Sequence, residues 1–381
     1  MNIPYAIAGV VLLLTILWDA FETIVLPRRV HRKLRLTRLF YRYTWMLWKG
    51  AVGCLPSKRR ELHLSYYGPL SLLVLLGVWA VGLVVAFGIL HYSTGSSVTV
   101  QGEAATGFWT DVYLSGTTFF TLGLGDVIPR GTLARVLVVT EGGMGFGFLA
   151  VVIGYLPVIY QAFSRREVSI SMLDARAGSP PSAGELLRRH AAGPGPEALR
   201  QLLAEWERTA SELMESHLSY SSLCYFRSQH SNQSWLAALT TILDASAFLI
   251  VTSDGPRQYQ ARLTFAIARH ATVDLAQIFV REPQPPESDR LPRPELARLQ
   301  ANLAAAGYSF RNEPDMYDRL EEMRKLYEPF VYSLGIFLCM DLPPWIPSGK
   351  LADNWQTTAW NKDSALSAKY SLEGHSHEDH F

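Results

Sequence analysis

Three long apolar stretches constrain the fold of this chain more than any other feature. They run from Ile3 to Leu26, from Tyr66 to about Tyr92 and from about Thr132 to Phe163. A helix rises about 1.5 Å per residue, so each stretch can cross a hydrocarbon core of about 30 Å. We therefore expect three membrane-spanning helices.

The first stretch could instead be a secretory signal peptide. No basic segment precedes it, and it ends in Asp19, Glu22 and Pro27 rather than in a small-residue cleavage site. We interpret it as a retained helix whose two carboxylates lie near the cytoplasmic end and pair with Arg28 or Arg29. No stretch has arginines at every third position, so we expect no voltage-sensing helix.

The composition indicates a membrane part joined to a soluble part. Of the 381 residues, 49% are hydrophobic and 18% are charged, and the mean hydropathy is only +0.09. The net charge of +1 argues against a general nucleic-acid-binding protein. The three cysteines, Cys54, Cys224 and Cys339, lie far apart and predict neither a disulfide framework nor a zinc site.

Basic residues predict the orientation in the membrane. Residues 28–60 contain eleven Lys or Arg and no Asp or Glu, whereas Arg130 is the only such basic residue within 91–131. The positive-inside rule places the first segment in the cytoplasm and the N-terminus outside the cell, with everything after Phe163 cytoplasmic. A nucleic-acid or partner surface is the alternative, but the position directly after a span favours topology and contact with anionic lipid. We interpret the segment from Phe40 to Leu55 as interfacial.

The segment between the second and third stretches predicts a re-entrant loop. The aromatic run from Phe108 to Phe120 is too short to span a membrane, and the sequence TLGLGD follows it. Irregular backbone survives at membrane depth only where protein or a water-filled path surrounds it. We therefore expect a short helix followed by an extended segment that lines a water-filled pore.

The residue types in this loop suit the coordination of a dehydrated potassium ion. Gly123 and Gly125 can adopt positive φ and so turn successive carbonyl oxygens toward one axis. Asp126 would lie at the outer mouth, hydrogen-bonded to the structure behind the loop. The expected ion sites are the oxygens of Thr121, Leu122, Gly123 and Leu124. The preceding helix would point its partly negative C-terminal end toward the ion.

Residues Phe108 to Phe163 resemble the pore module of the potassium-channel superfamily, in the bacterial form with one pore loop per chain. The usual filter of that family is TVGYGD, and TLGLGD matches it at the threonine, both glycines and the aspartate. The chain departs from it at Leu122 and at Leu124. A leucine in place of the tyrosine lacks the hydroxyl that tethers the family's filter, so the resemblance leaves filter rigidity and discrimination against sodium open.

The third stretch would be the inner helix of such a pore. By its spacing from Asp126, Gly145 matches the hinge glycine of the family, and Gly154 with Pro157 offers a second flexible point. Two further residues, Tyr155 and Ile159, are candidates for an apolar constriction.

Glu141 is an acidic residue within a span and needs a partner or a water path. We expect it to support the filter from behind through the pore helix, at Thr117 or Thr118. One pore loop cannot enclose a four-fold filter, so four copies of the chain are expected.

The sequence predicts that the region after the third stretch is helical. A linker rich in Gly, Pro and Ser, from Ala177 to Gly195, precedes it. The expected helices are 196–216, 234–252, 257–279, 293–306 and 314–340. No nucleotide fingerprint and no enzyme motif is present. The spacing of His217, His230 and His270 fits no known metal site, and the end of the chain is expected to be a disordered tail.

These observations predict an all-α membrane protein in five parts: an N-terminal helix (1–27), a basic linker (28–64), a pore domain (65–163), a helical cytoplasmic domain (164–345) and a tail (346–381). The expected function is passive potassium conduction in the inner cell membrane by a homotetramer. An unknown ligand or partner of the cytoplasmic domain would gate it. No resident cofactor, no catalysis and no nucleic-acid partner is expected. A poorly selective cation channel, or a membrane-anchored sensor or scaffold with a vestigial pore, are the alternatives.

Overall fold

The structure is a computed structural model that describes residues 2–26, 35–95, 98–100, 103–105, 107–229, 233–279, 282–311 and 315–347. Helices dominate these residues, as expected for an all-α membrane protein. The chain divides into two compact units, residues 1–161 and 162–381.

The first unit contains four helices and most of a fifth. These are α1 (Ile3–Ala20), extended by a π-helical turn (Phe21–Val25), α2 (Leu36–Gly53), α3 (Ser57–Ser93), α4 (Phe108–Phe119) and α5 (Thr132–Ala177), whose last part belongs to the second unit. Three short strands, β1 (Val98–Val100), β2 (Glu103–Ala105) and β3 (Val127–Pro129), form an antiparallel sheet in the order β2-β1-β3. The sequence analysis did not predict this sheet.

Helix α1 packs closely on α3 because glycines occupy the contact. A Cβ atom built on Gly9 would lie 2.8 Å from the Leu90 side chain, and one built on Gly82 would lie 2.5 Å from that of Ile16. Small residues at such positions let membrane helices approach closely. The first two apolar stretches therefore form one packed pair.

The carboxylates of the first stretch have partners that the sequence analysis did not name. Asp19 accepts hydrogen bonds from the hydroxyl of Thr37 (2.6 Å) and the indole of Trp79 (3.0 Å). Glu22 forms an ion pair with Arg35 (3.3 Å). The expected partners Arg28 and Arg29 lie outside the described residues. The two carboxylates thus tie α1 to the start of α2 and to α3.

The segment expected at the interface lies within helix α2. The Trp45 ring is buried and lies 4.7 Å from that of Tyr67 on α3, and the hydroxyl of Tyr67 is 2.9 Å from that of Thr44. One face of α2 therefore packs on α3. The location of this helix relative to the membrane surface stays a prediction.

All the regular secondary structure in the described part of the second unit is helical. After the end of α5 it contains α6 (Ala183–Arg189), α7 (Gly195–Ser219), a 3-10 turn (Ser221–Tyr225), α8 (Trp235–Thr252), α9 (Gly255–Phe279), α10 (Arg293–Ala305), α11 (Met316–Lys325) and α12 (Glu328–Leu338). The expected helices agree with these closely, except that the last one is divided into α11 and α12.

The expectation of a plain linker between Ala177 and Gly195 is wrong. Its middle forms helix α6, which begins after the N-cap Ser182, and the side chains of Leu186 and Leu187 are fully buried. The backbone N–H of Gly184 donates to the carbonyl of Trp345 (2.9 Å). The Gly, Pro and Ser residues form the turns before and after this short, buried helix.

Helix α8 is the centre of the second unit, because all of its residues are buried. It is one of four described helices long and apolar enough to cross a membrane, with α1, α3 and α5. Unlike those three, its apolar surface is covered entirely by the chain itself.

One charged residue of α8 lies in a buried ionic cluster. Asp244 accepts two hydrogen bonds from Arg290 (2.8 and 3.2 Å) and one from the hydroxyl of Tyr327 (2.5 Å). Arg290 also donates to Glu328 (3.0 Å), which accepts from Arg324. Burial raises the pKa of Glu328, and the two guanidinium groups oppose that shift. The cluster joins α8 to α11, to α12 and to the loop before α10.

Candidate functional site

The segment after α4 has the alternating backbone expected of an ion filter. The φ angles of Gly123 and Gly125 are +56° and +76°, as the sequence predicts. Thr121 also has a positive φ (+56°), whereas Leu122 and Leu124 do not. An L-residue in this region carries a strain of about 1–2 kcal/mol, so surrounding contacts must hold the threonine in place.

Those contacts come from the end of α4. The carbonyl of Thr117 accepts hydrogen bonds from the backbone N–H of Leu122 (2.8 Å) and of Gly123 (3.4 Å), and the carbonyl of Thr118 accepts one from Thr121 (3.0 Å). The last carbonyls of a helix have no partner within the helix and carry partial negative charge. Here they fix the filter segment to the helix that precedes it.

Asp126 is hydrogen-bonded to the elements around it, as expected. One carboxylate oxygen accepts from the hydroxyl of Tyr113 on α4 (2.8 Å), and the other accepts from the backbone N–H of Val127 (3.1 Å). Strand β3 begins at that residue and pairs with β1, with Val127 opposite Val100. The end of the segment at Asp126 is therefore fixed to both α4 and the small sheet.

Glu141 contacts α4 as expected, but through neither of the two expected threonines, Thr117 and Thr118. Its carboxylate is hydrogen-bonded to the hydroxyl of Ser115 on α4 and lies 3.3 Å from Nε2 of His91 on α3. The hydroxyl of Thr117 donates instead to the carbonyl of Leu114 (3.0 Å). Thr117 therefore holds the segment that begins at Thr121 through its backbone carbonyl rather than through Glu141.

The sequence analysis missed Ser115 and His91. Their signal was polarity: each is a hydrogen-bonding side chain within a stretch that is otherwise mostly apolar, and Glu141 is the acidic residue of the third stretch. All three side chains are buried, with exposed fractions of 1% or less. Buried polar groups need one another in such surroundings, so the three could have been expected together.

Gly145 lies at a close contact between helices. A Cβ atom on it would be 2.0 Å from the carbonyl oxygen of Phe119, the last residue of α4. Gly154 meets no atom within 4 Å, and Pro157 lies inside α5, which is continuous from Thr132 to Ala177. The close contact explains why position 145 requires glycine, while the hinge role of these three residues stays a prediction.

The structure does not support Tyr155 and Ile159 as a constriction. Their exposed fractions within one chain are 6% and 0%, so both side chains lie on the buried face of α5. A side chain covered by its own chain cannot narrow a water-filled path. On this helix Phe146, Leu149 and Ile153 are exposed instead.

A second buried polar group lies at the start of the second unit. The guanidinium of Arg166 donates to Glu167 (3.0 Å), to the carbonyls of Leu223 (3.1 Å) and Phe226 (2.9 Å), and to Nε2 of His217 (3.2 Å). Because a guanidinium only donates, that histidine nitrogen accepts, and Nδ1–H donates to the Leu213 carbonyl (2.9 Å). His217 is thus neutral and plays a structural role.

The other histidines considered for a metal site do not form one with His217. His270 lies 3.4 Å from Asp274 on the same helix, and His230 lies outside the described residues. Within the part of the chain that the structure describes, no group of three His, Cys, Asp or Glu residues could hold a metal ion.

The neutral His217 makes the stability of the second unit depend on pH. Burial, reinforced by Arg166, places the pKa of His217 well below 6.5. As the pH falls below about 6.5, the unfolded chain binds a proton that the native state rejects, so stability decreases. We expect the free energy of unfolding to decrease between about pH 7.5 and pH 5.5, by up to about 1.4 kcal/mol per pH unit for this one residue. The thermal midpoint, measured against pH, should fall with it.

His217→Gln is the variant that tests this expectation, since glutamine offers both an acceptor and a donor without titrating. It should flatten the pH dependence without abolishing it, because burial also lowers the pKa of His190. An unchanged slope of thermal midpoint against pH in purified His217→Gln protein would contradict the assignment.

Comparison with known proteins agrees with the geometry of the first unit. Residues 75–161 match a family model described as "Ion channel". The chain is also similar to YdjJ of Bacillus subtilis (strain 168), an uncharacterized membrane protein: 26% of residues are identical over 264 residues, covering 67% of this chain and 73% of the relative. No solved structure matches the chain. The matched range includes α4, the filter segment and the part of α5 that contains Glu141 and Gly145.

Proposed function

We propose that this ion-channel segment forms a potassium-selective pore shared by four copies of the chain. Ions would pass through the segment from Thr121 to Asp126, with carbonyl oxygens replacing their water. The observation that carries the proposal is the alternation of φ at Thr121, Gly123 and Gly125. Such an alternation turns consecutive carbonyls toward one side, which is the arrangement that potassium coordination needs.

The exposure of apolar side chains supports a pore built from several copies. Within one chain the side chains of Leu122 and Leu124 are 60% and 63% exposed, although their segment is hydrogen-bonded to the end of α4. In the apolar 18-residue stretch of α5 only 11% of the residues are buried within one chain, whereas in that of α3 56% are buried. Neighbouring copies around a central axis would cover these surfaces, and four copies would close a filter with one loop each.

The proposed orientation in the membrane rests on the distribution of Lys and Arg residues along the chain. We place α1, α3 and α5 across the inner membrane, with the N-terminus outside, the basic segment on anionic lipid and the second unit in the cytoplasm. The second unit would regulate opening through an unidentified ligand or partner. Conduction of this kind is passive and requires neither catalysis nor a resident cofactor.

One observation favours a second candidate, a cation channel of low selectivity. Leu124 has no hydroxyl, so its side chain cannot be tethered by a hydrogen bond as the family's tyrosine is. The bond from Tyr113 to Asp126 (2.8 Å) is the nearby restraint that would compensate. The two candidates differ in sodium permeation, which a flux measurement separates.

The decisive experiment is cation flux into liposomes that contain the purified full-length chain. Flux with potassium but not with sodium supports the proposal. Equal flux with both ions favours the channel of low selectivity. Because the second unit would regulate opening, an absence of flux from the full-length chain is compared with flux from a chain that ends near Arg166. Absence of flux from both would contradict both candidates and favour the anchored sensor or scaffold.

Gly123→Ala tests the filter assignment directly. Within one chain no atom lies within 4 Å of the added methyl group, so the expected effect comes from disfavouring a φ of +56°, at a cost of about 1–2 kcal/mol. We expect roughly 5- to 30-fold less potassium flux, since each 1.4 kcal/mol corresponds to a factor of ten.

Gly77→Ala is the matched control, because Gly77 lies within α3 and also has no atom within 4 Å. It should conduct as the unmodified protein does. Equal potassium flux from Gly123→Ala and Gly77→Ala would contradict the proposal that residues 121–126 form the ion filter.

A further inference from the structure

A groove of about 440 Å³ lies between the end of α1 and the start of α2. Its volume falls within the range of about 300–1,000 Å³ that is usual for ligand sites. The apolar part of its lining includes the side chains of Leu14 and Trp18. The polar part is formed by the side chains of Thr15, Asp19, Glu22 and Arg35. We call it the α1–α2 groove, and an occupant that fills it needs both an apolar and a charged part.

The charged end of the groove lies at the depth of lipid head groups when α1 spans the membrane. The apolar span Ile3–Val25 has 23 residues, enough to cross a hydrocarbon core of about 30 Å. Arg35 contacts the side chains of Glu22 and Thr23, which lie in the last turn of that span. Trp18, one turn before Glu22, is 54% exposed, and tryptophan favours the boundary between hydrocarbon and head groups.

Arg35 has hydrogen-bond donors available for an anion. A guanidinium group has five N–H donors. Nε lies 3.3 Å from the carboxylate of Glu22, and Nη2 donates to the hydroxyl of Thr23 (3.0 Å). Among the described residues these are its polar contacts, so both donors of Nη1 and one of Nη2 remain available. The side chain is 17% exposed, so a ligand in the groove can reach it.

The two carboxylates of the groove are engaged within the protein. Asp19 accepts the hydrogen bonds from α2 and α3 described above, and Glu22 accepts one from the indole of Trp18 (2.7 Å) and pairs with Arg35. Both side chains are buried. The charged group of a ligand is therefore expected at the exposed part of Arg35 and not beside the carboxylates.

The chemistry of the groove matches a phospholipid better than a soluble anion. A guanidinium binds a phosphate group through two parallel hydrogen bonds. A free phosphate ion would satisfy Arg35 but would leave Leu14 and Trp18, which are 59% and 54% exposed, uncovered. A phospholipid carries its phosphate at head-group depth and an acyl chain beside it, so one molecule would cover both parts.

We propose that the α1–α2 groove is a binding site for one phospholipid molecule. Its phosphate accepts hydrogen bonds from Arg35, and one acyl chain lies along Leu14 and Trp18. The site lies outside residues 75–161, which match the ion-channel family model. The proposal requires α1 in the membrane and does not depend on which ion the chain conducts. The bound lipid stabilises the contact between α1 and the start of α2.

Native mass spectrometry of the full-length chain, purified in detergent and washed free of its own lipids, tests the proposal. The probe is dioctanoyl phosphatidylglycerol, and dioctanoylglycerol is the comparison, because it has the same acyl chains without the phosphate. We expect the phospholipid to bind at one molecule per chain and to raise the thermal midpoint. Dioctanoylglycerol should bind about tenfold more weakly, the effect of losing one charge-assisted hydrogen bond. Equal binding of the two lipids, or equally tight binding of inorganic phosphate, would overturn the proposal.

Arg35→Gln removes the charge that the phosphate is proposed to contact. Arg42→Gln is the matched control, since Arg42 is an exposed arginine of α2 that does not line the groove. We expect Arg35→Gln to bind the phospholipid about tenfold more weakly and Arg42→Gln to bind it as the unmodified protein does. Equal losses in the two variants would mean that the lipid is held by the general positive charge of the segment, which overturns a discrete site.

A second pair of variants tests the groove without removing a charge. Should Arg35→Gln not assemble because Glu22 loses this ion pair, Thr15→Phe carries the test. Thr15 is exposed, lines the groove and donates to the carbonyl of Val11 (2.7 Å), so a phenyl ring there occupies the space of the acyl chain. Ile7→Phe, at a 59% exposed position of the same helix outside the groove, is its control and should bind normally. Normal binding by Thr15→Phe, or no binding by the unmodified protein, would overturn the proposal.

Discussion

Replacing Gly145 by alanine is expected to abolish potassium flux and to destabilise the assembled protein. The added Cβ would lie 2.0 Å from the carbonyl oxygen of Phe119, a backbone atom at the end of α4 that cannot rotate away. Helices α4 and α5 would have to separate at the end of α4, directly before the segment proposed as the filter. Overpacking of this kind costs about 3 kcal/mol. Flux into liposomes and thermal stability in detergent measure the two effects.

Gly147→Ala is the matched control for this experiment. The two glycines lie two residues apart in α5, but a Cβ atom on Gly147 would meet nothing within 4 Å. The control should retain stability and flux. If Gly145→Ala were as stable as Gly147→Ala and differed only in the rate of opening, the glycine would act as a hinge and not as a point of contact.

Replacing Arg290 by alanine is expected to cause the largest loss of stability in the second unit. Asp244 is fully buried and takes two of its hydrogen bonds from this guanidinium. Removing one partner of a buried ion pair leaves an uncompensated charge and costs about 3–5 kcal/mol. The change should appear as a lower thermal midpoint and faster proteolysis of the full-length chain.

Arg293→Ala provides the comparison in the same region. The ion pair between Arg293 and Asp318 is 2.9 Å long, but its side chains are 69% and 67% exposed. Exposed pairs contribute about 0–1 kcal/mol, so this variant should unfold close to the unmodified protein. Equal effects of the two substitutions would show that the buried cluster does not contribute specifically to stability.

The sequence predicted the elements around the filter because each left a local signal. Membrane spans follow from apolar length, and the pore helix ends at Phe119, within one residue of the expected Phe120. Positive φ at Gly123 and Gly125 followed from residue type. Positive φ at Thr121 carries no such signal, since contacts with the carbonyls of α4 impose it.

The contacts between distant parts of the chain could not be predicted in the same way. The partner of Glu141 was expected on the pore helix, but the choice of Ser115 over Thr117 depends on how far around α4 each side chain lies. Tyr155 and Ile159 were chosen by position along α5, whereas burial depends on direction around it. Helix α6 was hidden because turn-forming residues on both sides dominate its local composition.

The burial of α8 on every side bears on how the chain is made. With 18 residues and a mean hydropathy of 1.7, α8 resembles a segment that the membrane-insertion machinery would accept. Asp244 lies near its middle, where an acidic residue disfavours insertion by about 2.5–3.5 kcal/mol. We therefore expect the carboxylate that binds Arg290 also to disfavour the insertion of α8 into the bilayer while the chain is being synthesised. With the second unit in the cytoplasm, as proposed, this one residue would contribute both to the folding of that unit and to keeping its central helix out of the membrane.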